Sequence, residues 1–228
     1  MCGKFTQMMG WGDYATFARL LAAPSSGPVE TGTPMRFARI ITLDDMRNRK
    51  SVPMRWGLIP PWEKDPTRIH NTIHARAETI GEKKSFKAAF AVRRGLLVVK
   101  TFNEGKELPN GKTQQFTITP NDGKPIGIAV IWERWSEAHG GSLLTFAMVT
   151  VPPNKLIATI TDRMPAVLPP ELWAKWLGEE PASPDELKAM LMPFEGDWDM
   201  QPQSPPPKPP RPPSPPKAGK PDPQPSLF

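Results

Sequence analysis

Apolar residues recur along this chain in short runs whose period changes repeatedly, and the changes divide it into many small elements. Tyr14 to Ala23 has helical spacing and stops at Pro24, which predicts a short helix. Ser25 to Thr33 is rich in Gly, Pro, Ser and Thr and reads as a loop. Phe37–Leu43 and Val52–Leu58 read as strands joined by the polar turn Asp44 to Lys50, and Pro60-Pro61-Trp62 breaks that pattern into a loop through Thr67. A helix is expected over Ser85–Phe90, then a β-branched run, Leu96 to Thr101. Further strands are predicted at Thr113–Ile118, Ile126–Trp132 and Leu143–Val151. Pro153–Thr159 and Pro170–Leu177 read as short helices, and Ser183 opens another, with Asp185 and Glu186 favourably placed in its first turn. Short strands interleaved with short helices, without a βαβ rhythm or an internal repeat, predict an α+β domain. Its centre is expected to be a curved, mainly antiparallel sheet.

Composition shifts abruptly near the end. From Met200 onward the chain holds roughly 13 of its 31 prolines with scattered cations, so residues 200–228 are expected to be a disordered tail that builds no core. The preceding 200 or so residues suffice for one domain. A net charge of +6 and a pI near 9.5 fit a polyanionic partner without demanding one. No secretory leader and no long apolar span is visible, and the lone thiol suits a reducing compartment. A soluble cytoplasmic protein is therefore expected.

Common chemical templates are missing: no Walker A loop, no dinucleotide glycine pattern, no His-Glu-x-x-His, no paired zinc ligands. His70 and His74 are four apart, but no carboxylate completes a metal site and the stretch is not convincingly helical. No metal or cofactor is implied.

Cys2 is the only cysteine, so it has neither an intrachain disulfide partner nor a second thiolate for zinc. Loss of Met1, which a residue as small as cysteine normally permits, would leave an α-amine and a thiol on adjacent carbons. The α-amine titrates near ~7.7–8.0 and the thiol near ~8.5, against ~10.4 for lysine. Such a 1,2-aminothiol forms a Schiff base with an aldehyde and then closes a thiazolidine ring, an intramolecular step with a large effective molarity. The alternative is a small apolar residue on a first strand.

The start MCGKF, then MRWGLIPPW (Met54 to Trp62), HARAET (His74 to Thr79), TFNEG (Thr101 to Gly105) and TDRMPAVL (Thr161 to Leu168) occur in one order over about residues 1–195. Together they resemble the motifs of the SOS-response-associated peptidase (SRAP) family. The resemblance implies an α+β fold around a barrel-like sheet spanning residues 2–195. It also implies binding of single-stranded DNA and capture of abasic sites as a thiazolidine on the N-terminal cysteine.

Carried over residue by residue, Cys2 matches the nucleophile. Glu104 matches the glutamate of a Gly-Phe-Tyr-Glu-Trp block that here reads Thr-Phe-Asn-Glu-Gly, and its implied role is general acid/base. Without the resemblance, Glu104 would be taken for an exposed turn carboxylate. Arg76 matches a phosphate-binding arginine, and Lys4 stands where arginine is usual, keeping the charge but losing the bidentate fork. Trp56 and Trp62 are candidate platforms for unpaired bases, with Trp56 better suited to a core and Trp62 to a surface. Arg163 is expected either to meet phosphate or to brace the site. His74 replaces a common asparagine and Thr161 a common histidine. Either His74 supplies the imidazole that Thr161 lacks, or it merely hydrogen-bonds the sugar as asparagine would.

Three functions follow from these residues: covalent capture of abasic sites with lyase-like Schiff-base chemistry, an N-terminal-nucleophile peptidase or amidohydrolase that includes loss of Met1, and a non-enzymatic single-stranded-DNA adaptor. A monomer is expected. The extreme end, Gln224-Pro225-Ser226-Leu227-Phe228, resembles the peptides by which bacterial repair proteins dock on the sliding clamp. In that reading Gln224 makes polar contacts while Leu227 and Phe228 fill an apolar pocket.

Overall fold

A computed structural model describes residues 3–7, 11–20, 30–67, 72–136 and 140–204. The first strands are β1 (Lys4–Gln7), β2 (Glu30–Gly32), β3 (Phe37–Leu43), β4 (Arg49–Trp56), β5 (His74–Arg76), β6 (Arg94–Val99) and β7 (Thr101–Glu107). They are followed by β8 (Thr113–Pro120), β9 (Ile126–Ser136), β10 (Ser142–Val151), β11 (Met164–Pro165), β12 (Val167–Leu168) and β13 (Trp198–Pro202). The helices are α1 (Trp11–Ala18), α2 (Lys84–Val92), α3 (Trp173–Leu177) and α4 (Pro184–Ala189).

Five strands close a ring in the order β10-β4-β3-β6-β9, with β9 returning to pair β10; only the β10–β4 pairing is parallel. Closure leaves the strand walls of this ring without a free edge between them, and its lining is the core. Ile40, Leu97, Ile128 and Met148 are fully buried there. Phe146 stacks on Trp56 with centroids 6.1 Å apart. A second sheet runs β13-β8-β7-β1-β2 beside the barrel. The expected α+β architecture around a curved, mainly antiparallel sheet is what the chain adopts.

The run Leu96 to Thr101 is two strands. The chain leaves the barrel at Val99, turns at Lys100, whose N–H donates to Thr6 O (3.0 Å), and enters the second sheet at Thr101. Pro153–Thr159 holds only a 3-10 turn, Ile157–Thr159, because Asn154 Oδ1 takes the Ile157 N–H (2.9 Å) and satisfies the backbone locally. Ser183 opens α4 with a capping box, accepting from Glu186 N while Glu186 accepts from Ser183 N.

Ordered chain also continues past Met200. In β13, Met200 pairs Ile118 and Pro202 pairs Phe116, and Gln203 N then donates to Gln115 O (2.7 Å). Trp198 and Met200 turn one face of this strand into the core, a period-two signal hidden by the surrounding Pro and Gln. Residues 205–228, including Gln224, Leu227 and Phe228, lie outside the described residues.

Candidate active site

The site is built on β1, which begins two residues after Cys2. Phe5 is fully buried, and its ring lies so close to Gly32 on β2 that a Cβ at 32 would sit 2.0 Å from it, so only glycine fits there. Gln7 ties the same strand to the barrel. Its amide donates to Val98 O (2.9 Å) and Arg39 O (3.2 Å) and accepts from Arg39 N (3.3 Å). Lys4 and Gly3 are exposed at the open end. Cys2 itself lies outside the described residues.

Antiparallel pairing sets Lys4 opposite Asn103 and Phe5 opposite Phe102 on β7. Alternation therefore turns Phe102 and Glu104 to the face shared with Phe5, toward the barrel, and Asn103 and Gly105 to the other face. Glu104 is only 1 % exposed, which removes the alternative of a solvent-facing turn carboxylate. A carboxylate is kept inside a fold against a large desolvation cost, which makes mid-strand burial a mark of a dedicated role. Asn103 is also buried and donates from Nδ2 to Phe116 O (3.2 Å) and Thr117 Oγ1 (3.1 Å).

From Phe5 an aromatic series leads into the barrel wall. Phe5 lies 5.3 Å from Trp56, and Trp56 meets the imidazole of His74 edge-on at 5.8 Å. Trp56 Nε1 donates to Ile73 O (2.8 Å), so His74, itself 9 % exposed, is positioned from its neighbour's backbone. Trp56 is fully buried and therefore offers no face to a base, correcting its candidacy as a DNA contact. Trp62 does offer one. It is 49 % exposed, with Lys84 Nζ 4.7 Å from its ring centroid.

His74 and Thr161 reach the site on segments held by the same strand. β5 pairs β10 with His74 beside Met148 and Arg76 beside Thr150, while β11 pairs β10 with Pro165 beside Thr150. Arg163 fastens the two segments together. Its Nη1 and Nη2 donate to Glu78 Oε1 (2.5 Å) and Oε2 (2.9 Å), and Nη2 also donates to Thr150 O (2.7 Å). Of the two roles expected for Arg163, the structure contains the internal brace; with both terminal nitrogens engaged and the residue 8 % exposed, it presents no fork to phosphate. Arg163's hydrogen bond holds the Glu78 carboxyl below its usual value, partial burial opposing and the charge of nearby Arg76 assisting. Arg76 itself is exposed.

Two clefts border the outer end of β7. One, of about 530 Å³, runs between Gly105-Lys106-Glu107 and Ala158 to Asp162, with Thr161 in its wall. The other, of about 720 Å³, is lined by Gly3, Lys4, Thr33, Gly105, Glu107, Thr113, Gln115, Gln203 and Ser204. Thr161 lines the first of these clefts, and His74 lines neither. Sequence reasoning missed Glu78, although it stands inside HARAET, because its partner lies 85 residues away. It also missed the amide-bearing face of Asn103, Gln115 and Gln203, which carries no chemical motif. Among the described residues no group of three or more His, Cys, Asp or Glu is placed to hold a metal; His70 is outside them.

The family model described as SOS response associated peptidase (SRAP) matches residues 1–205. The chain belongs to the SRAP family. It is 32 % identical over 200 residues to the abasic site processing protein YoqW of Bacillus subtilis, covering 86 % of this chain and 89 % of that protein. It is 29 % identical over 183 residues to the abasic site processing protein HMCES of Rattus norvegicus, covering 66 % of this chain and 51 % of that longer relative. A protein of Bacteroides thetaiotaomicron shares the fold with a TM-score of 0.74 at 25 % identity, over 87 % of this chain and 91 % of the other. One from Bordetella bronchiseptica does so with a TM-score of 0.76 at 22 % identity, over 89 % and 100 %. The SRAP match ends three residues beyond β13, so this strand belongs to the family domain.

Proposed function

We propose that this chain processes abasic sites in single-stranded DNA by covalent capture on Cys2. The observation that carries the reading is the fixed register of β1 against β7, which brings the residues after Cys2 alongside buried Glu104. The names of its SRAP relatives support the substrate class. Once Met1 is removed, the α-amine adds to the aldehyde of the ring-opened deoxyribose to give a carbinolamine. Loss of water leaves an iminium. The thiol sulfur then bonds to the iminium carbon, the C=N π pair returns to the nitrogen, and the thiol proton is released to replace the one spent in the dehydration, so aminothiol and aldehyde yield thiazolidine and one water. Glu104 moves the protons of ring opening and dehydration. Exposed Lys4 and Arg76 meet phosphates, and Trp62 stacks a neighbouring base. Among the described residues no helix is long and apolar enough to cross a membrane.

The test is a denaturing gel of protein with single-stranded oligonucleotides that contain or lack one abasic site. A shifted band requiring both the abasic site and Cys2 is expected. Cys2→Ser should give only a labile adduct trappable with borohydride, and residues retained before Cys2 should abolish the stable product. Amide hydrolysis without a cross-link would point instead to a peptidase, and salt-sensitive binding that survives Cys2→Ala without any cross-link to an adaptor.

A further inference from the structure

The larger cleft beside the N-terminus has a chemistry that the capture reaction does not use. It lies on the face of β7 and β8 opposite to Glu104, and its walls carry the side-chain amides of Gln115 and Gln203 and the hydroxyls of Thr33 and Thr113. Gly3 and Lys4 form its edge, so it begins one residue from the proposed nucleophile. We infer that this cleft is a nucleobase subsite, which reads the base next to the captured abasic nucleotide through the amide of Gln115.

Gly105 makes the subsite possible. It pairs directly with Gln115, and a Cβ at 105 would lie 2.6 Å from Thr113 Cγ2 and 2.9 Å from Gln115 Nε2. The Gln115 amide therefore lies across the space that any side chain at 105 would need. With no side chain at 105, the Gln115 amide lies over that position and forms part of the wall of a cleft of about 720 Å³, within the size range of small-ligand sites.

The polar groups around it are already committed in a way that frees Gln115. Asn103 donates to Phe116 O and Thr117 Oγ1, and Gln203 donates from Nε2 to Thr117 Oγ1 (2.7 Å), while Gln114 donates to Gln203 O (2.9 Å). Gln115 is exposed, its backbone O accepts from Gln203 N, and its side chain faces the cleft. An amide offers a donor and an acceptor in one plane, which matches adenine N6–H with N7, or N6–H with N1 on its other edge. Guanine presents two acceptors, O6 and N7, on the corresponding groove edge and fits one orientation fewer. Lys4 supplies the charge for the phosphate between the two nucleotides.

This inference rests on the proposed capture reaction, and the experiment separates the two. Full-length protein lacking Met1 is mixed with single-stranded oligonucleotides bearing one abasic site, in two sets of four. One set varies only the base on the 5′ side of the site, the other only the base on the 3′ side. Initial cross-linking rates are compared within each set. On one side, adenine is expected to react about fivefold faster than guanine, the lower end of the discrimination an amide–base pair gives. Gln115→Ala should bring the four rates of that set within about twofold, whatever its absolute rate. Thr119→Ala, on the same strand outside the cleft, should keep the wild-type profile. Equal rates for all bases in wild type, or a base profile that survives Gln115→Ala, overturns the subsite while leaving capture intact. Absence of any cross-link overturns both.

Discussion

Arg163 and Glu78 are joined by two parallel hydrogen bonds, although 85 residues separate them in sequence. The pair locks the segment after β5 to the segment before β11 and so sets where His74 and Thr161 stand. Arg163→Ala removes both hydrogen bonds to Glu78 and one of the two that reach the buried Thr150 carbonyl, which keeps the Ala77 N–H, and is expected to destabilise the fold by about 1.5–3 kcal/mol, the range for hydrogen bonds to charged groups. The Glu78 side chain is 48 % exposed, so screening reduces the effect of Glu78→Gln to about 0.5–1 kcal/mol. Because folding lowers the Glu78 pKa, its contribution is present above the unfolded glutamate value near ~4.3 and is lost as pH falls through the folded one. Urea unfolding of wild type and Glu78→Gln should therefore differ most at neutral pH and converge in acid.

His74 and Thr161 separate two accounts of cross-link reversal. If His74 supplies the titrating group that Thr161 lacks, His74→Asn should flatten the pH–rate profile for release near neutrality, and adding Thr161→His should restore a titration. Formation and release are measured on pre-formed and nascent cross-links across pH 5–8. Unchanged profiles in His74→Asn would reduce His74 to a hydrogen-bonding group.

The two tryptophans of the MRWGLIPPW block should behave oppositely. Trp62→Ala removes an exposed ring and is expected to weaken single-stranded DNA binding by ~1–3 kcal/mol with little change in melting temperature. Trp56→Ala empties the contact between Phe5, Phe146 and His74 and should cost ~3–5 kcal/mol of stability. Anisotropy titrations and thermal melts of both variants distinguish these roles.

That contrast shows where the sequence was legible. Strand β3 occupies the predicted Phe37–Leu43 because a run of β-branched and apolar residues between polar turns has one reading. The barrel wall at β9 and β10 was visible for the same reason. The closure of β9 onto β10, and the parallel pairing of β10 with β4, were not, since a period-two pattern says which face is buried but not which strand lies alongside. Likewise, Trp62 was placed at the surface by the prolines before it, whereas the engagement of Arg163 depended on Glu78, which only the pairing of β5 and β11 to β10 brings near. Met200 to Pro202 were read as tail because proline composition outweighed the single partly buried side chain, Met200, that continues the inward face of Trp198.

The chain end offers a separate prediction. If Gln224 to Phe228 docks on a sliding clamp, a labelled peptide of the last ten residues should bind a bacterial clamp saturably, and Leu227→Ala with Phe228→Ala should abolish it. Pro225 in place of the more common leucine is expected to weaken the interaction. About 20 residues separate Ser204, just past β13, from Gln224, and at ~3.1 Å per residue an extended proline-rich stretch would span ~60 Å. No binding at ~100 μM would leave the segment as a linker.

Gly3 and Ser204 line one cleft, so the folded domain begins and ends at the same place. Chains whose ends adjoin tolerate circular permutation. A short linker from residue 204 to residue 2, with new ends opened at the exposed Asp45–Met46 turn, would keep every strand pairing of the barrel. The amine of Cys2 would then be an amide nitrogen, and its thiol would remain. Such a permutein would separate the proposed non-covalent binding of DNA from the proposed covalent capture, because the topology of the chain, rather than any side chain, would have been altered.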